Sequence, residues 1–319
     1  MLSESWEESR HEGDRRTNLF HGLSPIHSEL LKHPLPCIGS LTINDCGMME
    51  LTNRPLTLRL HELENQGIPT NIARDQVYNS VERYYLDLFA CQDNRMRQQP
   101  NSIRDTTDGL GQLAALVSMR ALLDKFTVRK HSGGPYFLSL TDLHQSNIIV
   151  DDEWNIKRII DLEWACVCPP EMENVPFWLT STGLDNLDVE AYQPVFDVFV
   201  RASREVEERS CVSGERLSRI LQSNWDSGRF WFTQALDCPE ALYLGFVCQI
   251  RPRFGSLIDF TEGFDATLAK LWDQGASDFV TTKVNEHAEY QARIRKLFAD
   301  IDRSGPPADV TDAQDNESS

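Results

Sequence analysis

The chain has 319 residues, of which 40% are hydrophobic, and 49 acidic against 31 basic side chains give it a formal charge of −18. That length suits one large domain or two small ones, and the apolar content can fill a core. That charge argues against nucleic-acid binding, which wants a basic face, and the longest apolar run, Ala241–Val247, is far short of a membrane span.

Residues 1–18 are charged and Ser-rich without a packed pattern, and an unstructured leader is expected there. The domain itself is expected over 19–303, opening with the apolar-periodic segment Leu19–Leu31. Ile38–Ile43 and Met48–Thr52 flank Asn44-Asp45-Cys46-Gly47 and predict a hairpin, since Asn, Asp and Gly supply the turn conformations. Thr57–Asn65 predicts a short helix closed by Gly67 and Pro69. In Asp75–Arg97, Val77, Val81, Tyr84, Tyr85, Leu88 and Phe89 recur at three- and four-residue steps, and a long helix follows from that spacing. Asp105–Lys130 predicts a second. Within it, Gly109-Leu-Gly111-Gln-Leu-Ala114 has the spacing of a phosphate loop but no strand before it. It reads as helix with two tolerated glycines.

The densest segment is 139–164. Two β-branched runs, Ile148–Val150 and Ile156–Ile160, flank the polar turn Asp151–Asn155 and predict a second hairpin. The register assumed, Val150 against Lys157, is taken to set Asn147 opposite Asp161, where two side-chain oxygens could share a divalent cation. Asp142 then lies in the loop entering the same end. A free carboxylate beside a carbonyl and a second carboxylate on a metal is apparatus for phosphoryl transfer. Beyond it, Pro169-Pro170 and Pro176 predict an extended crossing, and Ser181–Asp188 a polar loop. Helices are expected at about Val189–Glu208, Ser213–Gln234, Pro239–Ile250, Phe254–Trp272 and Phe279–Arg303. Residues 304–319 read as a disordered acidic tail.

Asp142-x-x-x-x-Asn147, a short hairpin and then Asp161 match the catalytic and metal loops of the kinase fold. The wording Thr-Asp-Leu-His-Gln-Ser-Asn and Ile-Asp-Leu-Glu-Trp resembles the aminoglycoside phosphotransferase / choline-kinase-like family. Leu51-Thr-Asn-Arg-Pro-Leu-Thr-Leu58, Leu63-Glu-Asn-Gln-Gly-Ile-Pro69 and Pro176-Phe-Trp-Leu-Thr180 resemble its filamentous-fungal group, and the likeness spans roughly residues 19–210. It implies an α+β fold: a protein-kinase-like C-terminal lobe, mainly helical, whose short hairpins carry the catalytic and metal loops. It further implies Asp142 as the catalytic base toward a hydroxyl, His144 as an orienting group, and Asn147 and Asp161 as holders of the magnesium that bridges the phosphates of ATP. The acceptor implied is a hydroxyl of a small molecule or a protein, and Glu171, Glu173, Asp185 and Asp188 are candidates to meet an amine on it. Two departures stand out. Leu140-Thr141 replaces the usual His-Gly or His-Arg pair, and Glu163 replaces the Gly of Asp-Phe-Gly.

Only Lys32, Lys125 and Lys130 precede Asp142, and none follows a Val-Ala-Ile type strand. The nucleotide-clamping N-terminal lobe, with its phosphate loop and strand lysine, is therefore expected to be largely absent. Two readings stay open: an ATP- and magnesium-dependent phosphotransferase, or a non-catalytic pseudokinase-like module or truncated remnant, with a partner chain able to supply the other lobe. With no Lys/Arg-led apolar run at the start, no signal peptide is expected. Eight cysteines without framework spacing then read as reduced thiols in a cytoplasmic protein, and Cys166-Val-Cys168 lacks the further ligands that a zinc site needs.

Overall fold

The computed structural model describes residues 1–209, 215–255 and 263–304. Its fold is α+β, mainly helical with three small antiparallel sheets. Residues 1–18 depart from expectation, for they are not a leader. α1 (Leu2–Ser9) and the start of α2 (Gly13–Leu30) occupy them, and Leu2 and Trp6 are fully buried. Two apolar residues at i and i+4 bury one face, too sparse a pattern to stand out in so charged a stretch.

After α2 the extended segment 35–39 ties three regions together. Leu35 exchanges hydrogen bonds with Tyr136, Ile38 with Tyr78, and Gly39 with Val167. Gly39 allows this closeness: a Cβ there would stand 2.7 Å from the Asn53 carbonyl oxygen. β1 (Ser40–Ile43) and β2 (Met49–Asn53) form the first hairpin around Gly47 at φ +75°. α3 (Leu58–Asn65) follows, capped by Thr57, whose hydroxyl accepts from the Leu60 N–H.

α4 (Val81–Gln98) starts six residues later than the periodicity predicts, because Tyr78 is committed to its bridge with Ile38 and Ser80 supplies the cap. The expected helix over 105–130 is broken. α5 (Thr106–Ala121) ends where the Leu122 N–H is shared between the Ser118 and Met119 carbonyls, and a short α6 (Leu123–Phe126) follows. Val128 is extended, and its N–H is taken by Glu171 Oε1 at 3.0 Å.

β3 (Phe137–Ser139) pairs with β6 (Cys166–Cys168), and between them lies the hairpin of β4 (Ile148–Val150) and β5 (Ile156–Ile159). Its register pairs Ile148 with Ile159 and Ile149 with Arg158, then shifts at a bulge so that Val150 faces Ile156. Counting back from Ile148, the residue opposite Asn147 is Ile160, whose N–H donates to the Asn147 carbonyl at 3.0 Å. Asp161 lies one position beyond, so the expected Asn147–Asp161 pairing is corrected by one residue. The assumed Val150–Lys157 register would have given Ile160 as well.

The crossing after β6 coils into 3-10 turns at Pro170–Met172 and Phe177–Thr180 rather than running extended. α7 (Val189–Arg209) packs along α2. The single helix expected over 213–234 is two, α8 (Leu217–Ser227) and α9 (Arg229–Asp237), parted at Gly228 with φ +79°. α10 (Pro239–Gly245) runs into a π-helical turn, α11 (Phe264–Trp272) lies against α5, and α12 (Ala276–Ser304) closes the described chain. The expected tail, apart from Ser304, falls outside the described residues. One continuous core joins the aromatic residues of α1, α4, α7 and α9. Among the described residues no helix is long and apolar enough to cross a membrane.

Candidate functional site

β3 ends at Ser139, and a turn closed by Leu143 N–H on the Leu140 carbonyl presents Asp142. A 3-10 turn, Gln145–Asn147, then delivers Asn147 to the foot of β4, where it is 7% exposed. Asn147 Nδ2 donates to the Asp142 carbonyl at 3.0 Å and lies 3.4 Å from Asp142 Oδ2. Its Oδ1 accepts from Ser146 at 3.2 Å and keeps a lone pair in hand. At the same end of the hairpin, just after β5, Asp161 is exposed, with φ +55°, and makes no hydrogen bond or ion pair among the described residues. The Thr141 hydroxyl donates to the Trp164 carbonyl at 2.6 Å and ties the two loops together.

Asp142, Asn147 and Asp161 line one small hollow of about 10 Å³, close to the space one water or ion occupies. Partial burial pushes the Asp142 carboxyl above the ordinary Asp range. The Asn147 hydrogen bond and His144 offset this, while Glu163 and Asp161 add to it. His144 sits at the rim, its ring centroid 5.6 Å from that of Trp178. Partial burial holds its imidazole below the ordinary His value, with Asp142 pulling the other way.

Asp142 also borders a larger cleft of about 430 Å³. Arg59 and Glu62 of α3, Phe177 and Trp178, and Asp237 of α9 are among the residues that line it. Four carboxylates line it (Glu62, Asp142, Glu173 and Asp237) against the Arg59 guanidinium and the His27 imidazole. Arg59 is paired to Glu62 at 3.0 Å, and Glu173 to His27 Nδ1 at 2.5 Å. Burial raises the Asp237 carboxyl to about 6, with Arg59 opposing and Glu62 reinforcing the shift.

The acidic candidates for an amine divide. Glu173 lines the cleft. Glu171 does not: it is 1% exposed and caps the Val128 N–H, so it is structural. Asp188 accepts from the Glu190 and Ala191 N–H groups at the start of α7, and the Asp185 side chain lies outside what is described. Sequence reasoning missed Arg59, Glu62 and Asp237. Each is a single charged residue on a helix, indistinguishable by pattern from a solvated one. Trp178, by contrast, belongs to a string that stands out in the sequence.

Cys166 and Cys168 lie side by side on β6 with Sγ atoms 3.4 Å apart. That contact, and then burial, holds the Cys168 thiol well above the ordinary range, the state of an inert small hydrophobe. Among the described residues no group of three or more His, Cys, Asp or Glu side chains is arranged to hold a metal. A magnesium ion needs no such cage. It is usually held by one or two carboxylates with water and substrate phosphates completing its shell, and the Asn147 and Asp161 oxygens fit that donor chemistry. No family model matches this chain, and no curated protein or solved structure matches it either.

Proposed function

We propose that the chain is a phosphotransferase of the aminoglycoside phosphotransferase / choline-kinase-like type, of the fungal group, built on a kinase-like C-terminal lobe. It transfers a phosphoryl group from ATP, with magnesium, to a hydroxyl of a small molecule. The observation that carries this is the convergence of Asp142, Asn147 and Asp161 on one hollow that opens beside a cleft of substrate size. Asp142 takes or orients the proton of the attacking hydroxyl, and its raised pKa makes it a stronger base than a solvated Asp. Asn147 and Asp161 would hold the magnesium, which when bound supplies charge neutralisation on the phosphates. His144 orients at the rim. The excess of carboxylates in the cleft favours an acceptor that carries an amine. Free thiols, including exposed Cys46 and Cys248, accord with a cytoplasmic setting.

A second reading, a non-catalytic interaction module, is favoured by the lysines. Lys32 is bonded to Glu29 and Lys130 to Glu215, while Lys125 lies on α6, so none of the three is on a strand facing the hollow. Gly109 and Gly111 lie inside α5 and offer no phosphate loop.

Calorimetry of ATP binding with and without magnesium separates the readings. Magnesium-dependent binding that Asp161→Ala abolishes supports the phosphotransferase. Asp142→Asn should then keep nucleotide binding while losing transfer by roughly 10²- to 10⁴-fold. Absence of binding at millimolar ATP favours the module.

A further inference from the structure

We propose that α1 is a positioning element for the loop bearing Asp142 and Asn147, acting through three indoles in series: Trp154, Trp6 and Trp178. The functional importance of that loop rests on the proposed phosphotransfer; the mechanical coupling does not. Trp6 is fully buried, Trp154 is 1% exposed and Trp178 5%. Trp6 stacks on Trp154 at 5.3 Å and 19°, and meets Trp178 edge-on at 5.2 Å and 71°. These are the two favoured geometries of aromatic pairs.

Every indole N–H in the series is spent on a link between segments. Trp154 donates to Ser5 Oγ of α1 at 2.9 Å, and Trp6 to Ser181 Oγ at 2.9 Å. Trp178 donates to the Leu143 carbonyl at 2.7 Å, one residue after Asp142. Arg10 adds a bond from the end of α1 to the Thr180 carbonyl at 3.0 Å. Trp154 and Ser181 both hold left-handed backbone, φ +62° and +58°. Non-glycine residues keep that conformation only where their surroundings over-determine it, typically near functional sites.

Trp178 fixes the height of the active loop through Leu143, and Trp6 is the wall behind Trp178. The coupling therefore runs from α1 to the loop. An eight-residue helix is unstable alone, so α1 is ordered only while docked. Its docking and the placement of Asp142 are one event.

Hydrogen exchange on the full chain tests this with Trp6→Ala, Trp6→Phe and, as control, Trp272→Ala, whose indole is bonded to Asp93 away from the loop. In Trp6→Ala, amides 141–148 should exchange about tenfold faster while α9 and α10 are unchanged. Trp6→Phe should restore near-native exchange, and Trp272→Ala should leave the loop alone. Where the wild type transfers phosphate, kcat in Trp6→Ala should fall on the order of tenfold with the nucleotide KM within about twofold. Should Trp6→Ala not fold, Ser5→Ala combined with Arg10→Met removes two docking bonds and should speed loop exchange about threefold. Unchanged loop exchange in the folded variants, or an equal effect from Trp272→Ala, overturns the proposal. A wild type without transfer activity sinks the phosphotransferase reading instead, and the exchange comparison still decides the coupling.

Discussion

Asp142 and Asp237 are two carboxyls in one cleft, both raised by burial, and they lead to different measurements. Asp142 must be ionised to act as base, so the acid limb of kcat/KM should lie above the ordinary Asp value. Glu163→Gln removes a negative charge that adds to the rise and should move that limb to lower pH; an upward move would contradict the assigned geometry. Asp237 bears on stability. Its folded pKa of about 6 exceeds the ordinary Asp value of 3.8, so the native state binds the extra proton between those values. Stability attributable to this group is then highest below about pH 4, falls as pH rises through 6, and stays low above. Asp237→Asn should accordingly raise the unfolding free energy at pH 8 by on the order of 3 kcal/mol and change little near pH 4. An equal effect at both pH values would show that the Asp237 carboxyl is not desolvated. Neither shift is legible in the sequence, because burial is a property of the neighbours a residue acquires.

At the scale of elements, the glycines of α5 show how a helix can be predicted correctly and its reason misread. Spacing alone makes Gly109 and Gly111 tolerated lapses in a helix. In the structure a Cβ at Gly111 would stand within 2.8 Å of three Tyr243 atoms, and one at Gly109 would meet Val280 of α12 and Ile103 within 3.0 Å. They are close-approach positions where α10 and α12 reach the helix. Gly111→Ala should therefore destabilise, by roughly 1–3 kcal/mol in chemical denaturation despite the better helix propensity of Ala. A stabilised variant would mean that Tyr243 moves aside freely. The start of α5 was legible where Asp105 caps it, but the Ser80 cap of α4 was not, because the apolar period runs back through Val77. Nor were the breaks at Leu122 and Gly228. The apolar period continues through both, and the chain turns there to meet Glu171 and Arg253.

For the whole molecule, the charge of −18 outweighs any electrostatic effect that a single contact expresses. Many of the ion pairs are local and exposed, such as Lys32–Glu29 and Arg15–Glu12, and pairs of that kind contribute little. Self-repulsion among the surplus carboxylates should dominate. Raising salt from 0.01 M to 0.15 M shortens the screening length from about 30 Å to about 8 Å, so Tm at pH 7.5 should rise. Near pH 5, where the carboxylate surplus is partly protonated, the gain should shrink. A Tm that falls with salt at pH 7.5 would place the balance in the ion pairs.

The two hairpins, the turn at Gly47, the bodies of the long helices α4, α5 and α7 and the run from Asp142 to Asp161 were determined by the sequence itself. Each depends on spacing or turn chemistry within a few residues of chain. Tertiary structure alone decided that Trp6, in a stretch composed like a loose leader, stands behind Trp178 and the Asp142 loop. It also decided that Glu171 is sealed in the core while Asp237 and Arg59 face the cleft. The physical reason is separation along the chain: Trp6 meets Ser181 across 175 residues. No local period encodes which buried face two such segments will share.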